Sequence, residues 1–154
     1  MSAEDRLKEL GIELPPAAQP VANYVPAKRV GSLLFVAGHG PARDKQGARP
    51  TGKVGRELTI EEGYQAARSA GLSILATLRA ELGSLDRVRQ VVKVLGMVNC
   101  APGFDQTPPV INGFSDLFVE VFGEAGRHAR SAVGMAELPA SIPVEIEIVV
   151  EVEP

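Results

Sequence analysis

The end of the chain, Pro143-Val144-Glu145-Ile146-Glu147-Ile148-Val149-Val150, alternates residue by residue and carries the alternation on to Glu153. In an extended strand successive side chains point to opposite faces. Val144, Ile146, Ile148, Val150 and Val152 therefore share one face, and Glu145, Glu147, Val149, Glu151 and Glu153 share the other. The first face suits a core. The glutamate face cannot be the helix-covered core, so a fold ending in this strand needs a sheet with one covered face and one that meets water or a partner.

The rest of the chain supplies the cover. Thr59 and Glu62 make a capping box, and Ile60, Tyr64, Ala67, Gly71, Ile74, Leu78 and Leu82 recur at helical spacing, which predicts a helix over 60–82 with that stripe against a sheet. Pro108-Pro109 opens a second helix running to about Phe122, with Ile111, Phe114, Phe118 and Val121 on one face. Residues 23–30 and 32–38 read as a hairpin around Gly31, and Val88 to Cys100 as a long strand in which Gly96 marks a bulge. Two more strands complete the order strand, strand, helix, strand, helix, strand, strand. Ala3 to Leu10 reads as a short amphipathic helix stopped by Gly11, a local addition within an N-terminal extension at about 1–20. Residues 38–56, rich in Gly, Pro and charge, form a long loop of the kind that borders sites. The expectation is a single α/β domain over 1–154, a mixed sheet with two helices on one face.

Composition removes several function classes. The net charge of −3 gives no general attraction to phosphate backbones, so nucleic acid is not the expected partner. The basic segment Arg43, Lys45, Arg49, Lys53 and Arg56 reads as a solvated loop. No run is long and apolar enough for a membrane span. The acidic start Met1-Ser2-Ala3-Glu4-Asp5 has no signal-like apolar core, so the expected location is cytoplasmic. One cysteine, Cys100, allows no internal disulfide, and two histidines without matched carboxylates make no metal site.

The candidate chemistry is carried by Arg130 and, fifteen residues later, Glu145. A guanidinium fork holds a carboxylate bidentately, and a carboxylate can orient and activate a water. By spacing alone, the same two residue types on neighbouring strands more often form a solvated ion pair. Tyr24 reads as an interface aromatic or a pocket wall, Asn112 as a helix-start hydrogen bonder or a ligand contact, and His39 as a proton shuttle or a polar turn residue. His128 either lines a cleft or decorates a loop.

The ordered combination of Arg130-Ser131-Ala132-Val133, the Leu138-Pro139 turn and the Val-Glu-Ile-Glu-Ile close, with Asn23-Tyr24-Val25, Ala37-Gly38-His39 and Asn112 upstream, resembles the RidA/YjgF reactive-intermediate deaminase family over roughly residues 20–152. The resemblance implies a chorismate-mutase-like homotrimer with its sheets inward and clefts at the subunit interfaces. It also implies hydrolysis of 2-enamino or 2-imino acids to 2-oxo acids and ammonia, with no cofactor. Arg130 would bind the substrate carboxylate, and Glu145 would act on water together with a carbonyl near Ala132. Tyr24 would reach in from a neighbouring subunit, while Gly38, His39 and Asn112 would complete the pocket. A non-catalytic carboxylate-binding protein and an endoribonuclease are the other readings. The chain departs from the family pattern at Ala132, where the active branch carries Cys, and at Ala37-Gly38-His39, where it carries Ser-Gly-Gln.

Overall fold

The computed structural model describes residues 1–154. Five strands, β1 (Ala27–Val30), β2 (Leu33–His39), β3 (Val88–Asn99), β4 (Ala129–Met135) and β5 (Val144–Val152), form one sheet in the order β1-β2-β5-β3-β4. The β3–β4 pair is parallel and the remaining pairs are antiparallel. The chain's last strand is thus inserted between two earlier ones. Its Val144, Ile146, Ile148, Val150 and Val152 are all 2 % exposed or less.

Two helices, α2 (Ile60–Leu82) and α3 (Thr107–Phe122), cover that apolar face. The capping box forms reciprocally: Thr59 Oγ1 accepts from the Glu62 amide, and the Glu62 carboxylate accepts from the Thr59 amide, each at 3.1 Å. Thr107-Pro108-Pro109 opens α3, where proline's missing N–H would have had no helical partner anyway. The helices meet closely at Gly113, where a Cβ would stand 2.0 Å from the Tyr64 carbonyl oxygen. At the start of α2 the expected stripe departs from the sheet. Ile60 is 41 % exposed, and Tyr64 donates its hydroxyl to Asp116 on α3 at 2.7 Å.

Three further readings are corrected. The first strand begins at Ala27 rather than at residue 23: Asn23 and Tyr24 lie in a bend, and Pro26, which has no N–H, enters the sheet only by accepting from the Ala37 amide at 2.9 Å. Gly96 lies in unbroken register with Ile146, while the irregularities of β3 fall at Val88/Gln90 and Val91/Lys93. Its function is close packing, since a Cβ there would be 2.7 Å from two Ile111 carbons. The N-terminal helix α1 (Ala3–Glu9) is more than an addition. Its Leu7 joins the core at 2 % exposure, and Glu4 bonds both Arg79, at 3.1 and 2.6 Å, and the Leu85 amide, at 3.0 Å.

The other face of the sheet stays uncovered within the chain. It carries Phe35, 45 % exposed, and Val133, 38 % exposed, beside Glu145 and Glu147. No helix is long and apolar enough to cross a membrane.

Candidate active site

The sequence candidates fall into two groups, one on each face of the sheet. Glu145 pairs with Met97 on the uncovered face, because its neighbours Val144 and Ile146 are buried under the helices. The β2–β5 register shifts between Val36 and His39. That irregularity sets Gly38 over Glu145: a Cβ on Gly38 would meet the carboxylate carbon at 3.0 Å and Oε2 at 3.2 Å. Glycine is required here because any side chain would occupy the space over the carboxylate. Burial, then the like charge of Glu147, push the Glu145 carboxyl above its ordinary range, and Arg49 partly opposes them. A raised carboxyl is better suited to exchanging protons near neutrality.

Arg49 is a participant the sequence reading missed, having grouped it with a solvated basic loop. It is half-buried, and its Nη1 lies 3.4 Å from where a Cβ on Gly40 would be. Burial, then Arg43, lower its pKa, while Glu145 raises it. A loop position carries no periodicity that would have shown which way it turns.

The same register shift sends His39 inward. It is 6 % exposed; its Nε2 accepts from Thr77 Oγ1 at 2.8 Å and its Nδ1 donates to the Ala37 carbonyl at 2.6 Å, a tautomer assigned from the network. Burial holds its pKa down. His39 therefore lies on the helix side, away from the Glu145 carboxylate.

The second group lies along β4, an edge strand. Arg130 stands opposite Val94 of β3, which is fully buried, so Arg130 projects to the helix side. Its Nη1 donates to Ser115 Oγ at 2.9 Å and its Nη2 to the Pro108 carbonyl at 3.3 Å, both on α3. Pro108, Asn112 and Ser115 are spaced to share one face of that helix, which sets the exposed Asn112 between the two anchors of the guanidinium. Burial lowers the Arg130 pKa and Asp116 opposes that. The Ala132 carbonyl accepts from Thr107 Oγ1 at 2.9 Å and keeps a second lone pair. Tyr24 is 50 % exposed ahead of β1 and its hydroxyl bonds nothing within the chain.

Arg130 and Glu145 are thus not on neighbouring strands. β3 lies between β4 and β5, and the continuous register from Val94 to Met97 puts the two side chains on opposite faces. Neither takes part in an ion pair. A polar depression of about 310 Å³ lined by Thr51, Lys53, Arg56, Asn99 and Glu137 is a different feature. There Lys53 Nζ bonds Asn99 Oδ1 at 2.8 Å and the Ala136 carbonyl, and lies 3.5 Å from Glu137, so its three donors have acceptors and it serves as a structural tie.

A two-layer domain with a guanidinium held at a sheet edge and a carboxylate under a glycine defines the class. Residues 4–148 match the family described as "YjgF/chorismate_mutase-like, putative endoribonuclease", and the chain belongs to that family. It is 47 % identical to Protein TCP17 of Trypanosoma cruzi, over 94 % of this chain and 91 % of that protein. It is 29 % identical to a 2-iminobutanoate/2-iminopropanoate deaminase of Dermatophagoides farinae, over 92 % and 95 %. The crystal structure of Atu1372 from Agrobacterium tumefaciens, a protein of unknown function, superposes with a TM-score of 0.89 at 45 % identity, covering 98 % of this chain and 92 % of that one.

Proposed function

We propose that the protein hydrolyses small 2-imino or 2-enamino acids to 2-oxo acids and ammonia, in clefts where Arg130 of one subunit of a homotrimer faces Gly38 and Glu145 of the next. The observation that carries this reading is that Arg130 and Glu145 are each half-buried and unpaired on opposite faces. A half-buried charge without a partner is costly unless a ligand or a second chain completes it. A closed ring brings one face of a subunit against the edge of another and satisfies both. The relationship to the Dermatophagoides deaminase supports the reaction class.

In this scheme the free donors of Arg130 hold the substrate carboxylate, and Asn112 lies beside it. A water placed by Glu145 attacks C2 of the imine. Its oxygen forms the new C–O bond, and Glu145 takes a proton from it and returns it to nitrogen. The carbinolamine hydroxyl then gives its proton, again through Glu145, to the amino nitrogen, and ammonia leaves as the C–N bond breaks and the carbonyl forms. Gly38 leaves room for the water, the second lone pair of the Ala132 carbonyl can accept its other hydrogen, and Tyr24 closes the cleft from the neighbouring chain. His39 supports the β2 turn from below.

The test is 2-oxo acid release from imino acids generated in situ by an amino acid oxidase. Wild type accelerates the release, and Arg130→Ala and Glu145→Ala do not. Absence of acceleration by an intact trimer that still binds 2-oxo acids would make the protein a carboxylate-binding member of the fold.

A further inference from the structure

The side of Arg130 that faces away from the sheet edge is tied into a chain of hydrogen bonds with only one consistent direction. A guanidinium can only donate, so Ser115 Oγ accepts from Arg130 Nη1 at 2.9 Å. The Gly126 carbonyl can only accept, so His128 Nδ1 carries the proton and donates to it at 2.7 Å. The remaining ring nitrogen, Nε2, is then an acceptor, and the Ser115 hydroxyl points its own proton at it across 2.9 Å. The imidazole is held edge-on by Phe114, ring centres 5.9 Å apart. Each bond polarises the next.

We propose that Ser115 and His128 are the positioning residues of the carboxylate site, fixing the rotation of the Arg130 guanidinium so that its unused donors face the cleft. The proposal rests on the functional reading above for the identity of the ligand. It does not rest on it for the relay itself. Without Ser115 the fork keeps one anchor, the Pro108 carbonyl at 3.3 Å, and is free to rotate about it.

The surroundings keep His128 neutral. Burial lowers its pKa and the charge of Arg130 lowers it further, against the Gly126 bond. The other charges near it are already engaged. Asp116, next to Ser115 on α3, accepts from Tyr64, and Arg127, the preceding residue, pairs with Glu124 at 3.0 Å. Lys93 of β3 stands opposite Ala129, on the uncovered face. Protonation of His128 would turn Nε2 into a donor, and Ser115 would then have to accept from two cations at once.

The test measures binding of 2-oxobutanoate, the 2-oxo acid product of the proposed reaction, with melting temperature as the fold control. Ser115→Ala weakens binding roughly tenfold, the scale of one hydrogen bond to a charged group, with kcat little changed, and Ser115→Thr restores it. His128→Gln, which keeps an acceptor, stays near wild type, and His128→Phe falls with Ser115→Ala. Nitrogen NMR of the free protein shows the His128 proton on Nδ1, and Arg130→Gln raises the His128 pKa. Wild-type binding in Ser115→Ala, equal losses in the Ala and Thr variants, or a proton on Nε2 would overturn the proposal. If wild type neither takes up 2-oxobutanoate nor accelerates 2-oxo acid release, the functional reading fails, and the NMR result alone decides the relay.

Discussion

Arg130 and Glu145 face opposite sides of one sheet, on strands separated by β3. If a cleft takes its guanidinium from one chain and its carboxylate from the next, two inactive variants repair each other. Arg130→Ala and Glu145→Ala subunits, unfolded together and reassembled in equal amounts, should regain roughly a quarter of wild-type turnover, the statistical share of clefts that join an intact Arg130 to an intact Glu145. Zero recovery from trimers shown to be mixed would place both residues' work within a single chain.

Burial raises the Glu145 carboxyl above its ordinary range, and this fixes how its removal acts on stability. A group whose pKa is higher folded than unfolded contributes stability below the unfolded value, and loses it as pH rises through the folded one. Near neutrality, therefore, ionised Glu145 works against the fold. Glu145→Gln should melt higher than wild type at pH 7, with the gap closing toward pH 4, while turnover disappears. Thermal melts across that range check the sign; a lower melting temperature at pH 7 would show that Arg49 and the neighbouring subunit's Arg130 outweigh the cost of burying the charge.

Two glycines separate a catalytic defect from a folding one. Alanine at Gly38 would press on the end of a side chain, the Glu145 carboxylate at 3.0 Å, which can move. Alanine at Gly113 would press on backbone, the Tyr64 carbonyl at 2.0 Å, which cannot move without parting α2 from α3. Gly38→Ala is expected to lose at least about tenfold in kcat through misplacement of the carboxylate while melting close to wild type. Gly113→Ala is expected to lose about 3 kcal/mol or more of stability, read by urea denaturation.

Much of this was legible because it is local. The capping box at Thr59 and Glu62, the proline start of α3 and the alternation of β5 each depend on residues a few positions apart, and the structure has all three. What could not be read depends on which strands become neighbours. Nothing near Arg130 or Glu145 announces that β3 will lie between their strands. The inward turn of His39 follows from one register shift against β5, a strand more than a hundred residues away in sequence. Ser115 lay unnoticed three positions after Asn112, and only the return of β4 alongside α3 gives it a partner.

The outer edge of β4 has a further consequence. Its backbone N–H and C=O groups have no strand beyond them within the chain, and the edge carries the partly exposed Val133. Such an edge is a template for uncontrolled pairing with other chains. A neighbouring subunit seated against it would act as a guard against aggregation as well as a wall of the cleft. Dilution, which disperses most protein aggregates, would in this case expose the surface from which they start.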